Sequence, residues 1–165
     1  MERRELFGSL ASKLRGTAPQ AEKASHLRPP YNSDESLFLN ACPECDAPCA
    51  TVCEEDIIVI LSDKTPVLNL LESGCTYCDE CAIVCQPNVL KVEDAHHIKA
   101  KITINKDKCI SWDNVMCFSC KEPCLDNAIE FKSLFKPLII ADNCTACGFC
   151  IGRCPTDAID VEVLS

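Results

Sequence analysis

Four apolar pairs recur along the chain: Ile57-Ile58, Val89-Leu90, Ala128-Ile129 and Ala158-Ile159. Each directly follows an Asp or Asn, at Asp56, Asn88, Asn127 and Asp157, and each is followed two positions on by Ile60, Val92, Phe131 or Val161. This is the alternation of a short half-buried strand leaving a turn residue. Matching apolar runs at residues 66–71, 98–104 and 137–141 make each interval read as a β-hairpin, turning near Asp63-Lys64, residues 95–97 and residues 133–136. No window approaches the roughly 18 consecutive apolar residues of a transmembrane helix. The pattern is one of many short elements, an α+β chain of repeated small units.

Composition changes that picture. Among 165 residues, 16 are Cys, while aromatics make up only 5%. Large side chains alone build a thin core at that content, so the cysteines must staple the fold. Such density means disulfides in an exported protein and metal or cluster ligands in a cytosolic one. The segment MERRELFGSLASKLR carries a paired Arg3-Arg4 like the start of a twin-arginine signal, but residues 11–20 are too polar for the apolar stretch that signal requires. The reading is an uncleaved, cytoplasmic protein with reduced thiols. A net charge of −9 with scattered basic residues excludes nucleic acid as the expected main partner.

The cysteines fall into four groups whose first members are Cys42, Cys75, Cys109 and Cys144, at intervals of 33, 34 and 35 residues. The groups are Cys42, Cys45, Cys49, Cys53; Cys75, Cys78, Cys81, Cys85; Cys109, Cys117, Cys120, Cys124; and Cys144, Cys147, Cys150, Cys154. All 16 are used. Each unit is therefore expected to run strand, cysteine loop, short helix, strand, over residues 36–61, 66–94, 98–132 and 137–164, after an extension covering 1–35. The repeat region spans 36–165.

A [4Fe-4S] cluster needs four soft thiolates, three from a tight loop and one from elsewhere. C-x2-C-x2-C-x3-C meets that need: the first three cysteines wrap one cluster, and the fourth, on the following turn of helix, serves the other cluster of a pair. Zinc sites favour two separated C-x2-C pairs and fit this spacing poorly. All 16 cysteines are thus candidate ligands of four [4Fe-4S] clusters. Linkers of similar length leave two pairings open. Serial pairing joins the first unit to the second and the third to the fourth, whereas nested pairing joins second to third and closes first against fourth.

The run NCTACGFCIGRCPTDAI, with its Cys154-Pro155 ending, resembles bacterial-type ferredoxins, and the resemblance extends over residues 37–164. It implies two pseudo-symmetric ferredoxin-like modules. Two departures stand out: an extra residue before Cys49, and seven residues including Trp112 between Cys109 and Cys117. The first group is expected to hold its cluster most loosely, and Trp112 to pack over a surface insertion. Adding RRELFGSL near the start and Arg28-Pro29-Pro30-Tyr31 before the first group, the chain resembles the NapF family. That likeness implies a cytoplasmic accessory protein that meets the catalytic subunit of the periplasmic nitrate reductase before export and serves its maturation. A further likeness, to iron-sulfur subunits of molybdenum reductases, implies the nested pairing. Cys42, Cys45 and Cys49 would then share a cluster with Cys154, and Cys53 would join Cys144, Cys147 and Cys150. Cys124 would join Cys75, Cys78 and Cys81, and Cys85 would join Cys109, Cys117 and Cys120.

Four clusters would carry the formal charge from −9 to roughly −17, which calls for a basic partner surface. Arg3, Arg4, Lys13 and Arg15 flank Leu6, Phe7, Leu10 and Leu14 at helical spacing, an amphipathic stretch suited to docking in a groove. His96 and His97 read as solvated turn residues. No nucleophile triad, phosphate loop or paired carboxylate stands out, so no enzyme activity is expected. A plain electron carrier and a chain that clusters merely fold are the competing roles.

Overall fold

A computed structural model describes residues 26–164 except 33. The amphipathic stretch at residues 3–15 lies outside the described residues.

The elements are short because the chain turns every few residues to carry cysteines. Helices α1 (Ser36–Ala41) and α2 (Pro48–Val52) precede strands β1 (Ile58–Ile60) and β2 (Pro66–Leu68), and α3 (Glu80–Ile83) follows. Then come β3 (Ala100–Ile104), β4 (Ile129–Lys132), β5 (Phe135–Ile139) and β6 (Ile159–Val163). The strands form three antiparallel pairs, β1 with β2, β4 with β5, and β3 with β6.

The repeated Asp/Asn turn is real at all four positions. Asp56, Asn88, Asn127 and Asp157 take φ of 52°, 54°, 50° and 48°, the left-handed region that short polar side chains tolerate best. Each N–H donates to the carbonyl of the preceding fourth cysteine, Cys53, Cys85, Cys124 or Cys154, at 3.1–3.4 Å. The apolar pair after each turn is buried. These pairs, with Tyr31, Phe38, Leu68, Leu70, Ile98, Ile102 and Ile151, form the core.

Two of the three expected hairpins form. The β1–β2 hairpin turns at Asp63-Lys64, where the Asp63 carboxylate accepts the Thr65 N–H at 3.0 Å and Lys64 has φ 68°. The β4–β5 hairpin turns between Lys132 and Phe135, with a bulge at Phe131/Lys132. The third, at residues 95–97, does not exist. The chain after Leu90 makes a 3-10 turn at Val92–Asp94, and β3 pairs with β6 over Ala100↔Val163 to Ile104↔Ile159.

The edge that residues 92–98 leave open is met from upstream. Pro29 and Pro30 favour extended backbone at Arg28 and Pro29 before a bend at residues 30–31. The run 27–31 accepts the Leu68 N–H at the Leu27 carbonyl (2.7 Å), the Lys91 N–H at Tyr31 (2.8 Å) and the His96 N–H at Pro30 (2.9 Å). Arg28 anchors it, donating to Thr65 Oγ1 at 2.9 Å and the Pro66 carbonyl at 2.7 Å, while its guanidinium sits 4.7 Å from the Phe38 ring centre. The outer edges of the first half thus close within residues 27–96, and those of the second half within 98–164. This is serial, and it corrects the nested arrangement.

The two halves meet on small residues. A Cβ on Gly152 would strike the Leu71 carbonyl oxygen, one on Gly74 would lie 2.5 Å from the Phe149 nitrogen, and one on Gly148 (φ 93°) would lie 2.7 Å from Leu70 Cδ1. The Cys75 N–H crosses this seam to the Cys147 carbonyl at 2.7 Å.

Candidate metal centre

The folding just described gathers all 16 cysteines into four quartets. Cys42, Cys45, Cys49 and Cys85 line one small cavity, closed by Phe38, Ile60, Val89 and Leu90. Cys53, Cys75, Cys78 and Cys81 line a second, roofed by Pro29, Pro30 and Tyr31. Cys124, Cys144, Cys147 and Cys150 line another. Cys109, Cys117 and Cys154 surround buried Cys120. We number these first, second, fourth and third, after the loop that supplies three of each quartet's members. In every quartet the fourth thiol comes from the neighbouring unit of the same half. Cys53 therefore stands with Cys75, Cys78 and Cys81, and Cys85 with the first group; likewise Cys154 joins the third group and Cys124 the fourth. The nested sets, which put Cys53 with the fourth group and Cys154 with the first, are overturned. The cause is that each half closes on itself, the second through the β3–β6 pairing and the first through the bonds that residues 27–31 accept from Leu68, Lys91 and His96.

The chemistry of these sets suits a cluster. All 16 cysteines are free thiols. Among the described residues no three His, Cys, Asp or Glu side chains converge to hold a single metal ion, so the thiols ring cavities instead of pointing at one atom. Burial first, and then neighbouring thiols, push Cys81 and Cys150 up to about 12, and Cys42 up to about 11. Cys42, Cys81 and Cys150 therefore keep their protons until a group binds, and binding there releases protons. Backbone N–H groups already point at several sulfurs: Leu90 to Cys85 Sγ at 3.3 Å, Ala128 to Cys124 at 3.3 Å, Ala158 to Cys154 at 3.2 Å and Tyr77 to Cys75 at 3.4 Å. Such bonds are the protein's usual handle on an iron-sulfur group. Ser111 Oγ, two residues from Cys109, is fully buried without a partner among the described residues, and so retains a donor for a bound group.

The quartets follow one another in a line. Cys81 of the second feels Cys49 of the first, Cys75 of the second feels Cys147 of the fourth, and Cys150 of the fourth feels Cys120 of the third. The order in space is first, second, fourth, third.

Other residues singled out in the sequence have plain roles. Trp112 packs over the insertion as expected, donating to the Pro137 carbonyl at 3.3 Å, with Lys106 Nζ 4.6 Å from its ring centre. His96 Nδ1 lies 2.8 Å from the Asp94 carbonyl and His97 leans on Tyr77, 6.3 Å between ring centres. Sequence reasoning missed Tyr77 and named Tyr31 only within the Arg28-Pro29-Pro30-Tyr31 resemblance. Tyr31 is buried, and its hydroxyl accepts the Asp79 N–H at 3.1 Å inside the second loop. Its place directly after two prolines was the available signal.

Cysteine quartets held by turns and short antiparallel pairs define an iron-sulfur protein of the ferredoxin, electron-transfer type. A family profile described as 4Fe-4S binding domain matches residues 137–160. The ferredoxin-type protein NapF of Escherichia coli K12 is 33% identical over 147 residues, 86% of this chain and 88% of that protein. That of Haemophilus influenzae is 31% identical over 142 residues, covering 84% and 80%. The ferredoxin-type protein NapG of E. coli K12 is 27% identical over 175 residues, covering 90% and 75%. The chain belongs to the NapF family of ferredoxin-type proteins. No helix among the described residues is long and apolar enough to cross a membrane.

Proposed function

We propose that the chain carries four [4Fe-4S] clusters, one in each quartet, and acts in the cytoplasm on the catalytic subunit of the periplasmic nitrate reductase before that subunit is exported. On this reading it is an accessory protein and not an enzyme, made of two ferredoxin-like modules joined in series. When bound, the clusters supply one-electron chemistry and transferable iron and sulfide. The chain's own part is to hold four sets of thiols, shield three of them behind apolar walls and present them in one continuous row. The observation that carries the reading is this complete set of quartets in a chain that matches NapF over most of its length.

The same row also favours a second reading, plain electron transfer, since adjacent quartets are linked through touching loops. One experiment separates the two. The protein is loaded anaerobically with isotope-labelled iron, mixed with the cluster-free catalytic subunit and separated from it. Label on the subunit, arriving faster than free iron and sulfide deliver it, supports maturation by delivery. Association with the label retained leaves electron transfer or a chaperone role, and no association removes the nitrate reductase subunit as partner.

A further inference from the structure

We propose that the second quartet, Cys53, Cys75, Cys78 and Cys81, is the exchangeable site of the four, and that Cys78 is where an acceptor thiol enters. Two observations single it out. Cys78 is the one exposed cysteine among the 16, all of which lie in the described residues. Glu54 and Glu55 line the second cavity, the Glu55 carboxylate accepting the Ser73 hydroxyl at 2.5 Å. The first cavity carries Lys64 instead, and the fourth carries only Asp126, which Thr145 Oγ1 binds at 2.7 Å.

These features act in one direction. A cluster with four thiolates carries about −2, so carboxylates beside it oppose binding. Exposure lets the incoming ligand reach the bond between Cys78 and iron. Exchange is balanced without any redox change: a bond from iron to an acceptor thiolate replaces the bond to Cys78 Sγ, and Cys78 takes the proton the acceptor gives up. Cys53, Cys75 and Cys81 are exchanged in the same way. The extra residue before Cys49 had pointed to the first group as the loose one, but Cys42 and Cys49 are buried behind Phe38.

The inference rests on the delivery reading, yet its test does not need the partner. The full-length, cluster-loaded protein is challenged anaerobically with an iron chelator while iron release is followed by absorbance. The expected course has a fast phase of about a quarter of the iron and a slower remainder. In Cys78→Ala the starting iron falls by about a quarter and the fast phase is gone; in Cys45→Ala the iron falls equally but the fast phase stays. Glu54→Gln/Glu55→Gln keeps every ligand, and should slow the fast phase several-fold without touching the slow one. A single uniform phase, a fast phase that survives Cys78→Ala, or one abolished by Cys45→Ala overturns the proposal. If the fast iron maps to this quartet but never reaches the catalytic subunit, delivery fails and the exchangeable site stands.

Discussion

The Tyr77 hydroxyl donates to the Thr145 carbonyl at 2.5 Å and accepts the Ile98 N–H at 3.1 Å. One oxygen thus ties the second cysteine loop to the fourth and to the linker between the halves. Burial pushes the phenol up to about 12, so it stays a donor at all working pH. Tyr77→Phe leaves a carbonyl and an N–H without partners and should cost roughly 1–3 kcal/mol. Thermal unfolding of the loaded protein should show a lower midpoint with unchanged iron content; an unchanged midpoint would mean water replaces the hydroxyl at no cost.

The glycine seam predicts a sharper effect. Gly152→Ala places a methyl against the Leu71 carbonyl, which is backbone and cannot swing aside. The halves must separate locally, at a cost of about 1–3 kcal/mol. Limited proteolysis should then cut the linker around residues 92–98 faster than in the parent, while each half retains its own iron. Equal cleavage rates would show that the seam does not hold the halves together.

The turns were the most legible part of the fold, and they give the third prediction. Asn127 has φ 50°, closes its turn on the Cys124 carbonyl and delivers the Ala128 N–H to Cys124 Sγ. Asn127→Gly should be tolerated, while Asn127→Val should destabilise by roughly 1–2 kcal/mol, because a branched Cβ clashes in that region. Chemical denaturation of the two variants side by side decides it. Equal loss in both would assign the effect to the side chain and not to the backbone.

How much could be read from the sequence follows from the range of each interaction. The Asp/Asn residue, the apolar pair and the cysteine spacing act within a few residues, so their repetition fixed the turns, the β1–β2 and β4–β5 hairpins and the grouping of cysteines into loops. Pairing of the units depends on contacts far apart in sequence. The β3–β6 pairing and the contacts of residues 27–31 with Leu68, Lys91 and His96 decide it, and none announces itself in a local window. The linker at residues 95–97 looked like the other two, yet β3 found β6. Arg28-Pro29-Pro30-Tyr31 was legible only as a resemblance; its structural work, supplying the outer segment of the first half, needed the fold.

The serial quartets can be tested by counting iron, because loss of two ligands from one cluster costs no more than loss of one. Cys53 and Cys78 line the same cavity, 25 positions apart in sequence. Cys53→Ala/Cys78→Ala should therefore lack the same iron as either single variant, about four atoms. Cys53→Ala/Cys147→Ala strikes two quartets and should lack about twice as much. The nested arrangement makes the opposite forecast, since it places Cys53 and Cys147 around one cluster. Iron and acid-labile sulfide measured on the three single and two double variants, all purified anaerobically, distinguish the two, and equal deficits in the Cys53/Cys147 double variant and its singles would restore the nested form.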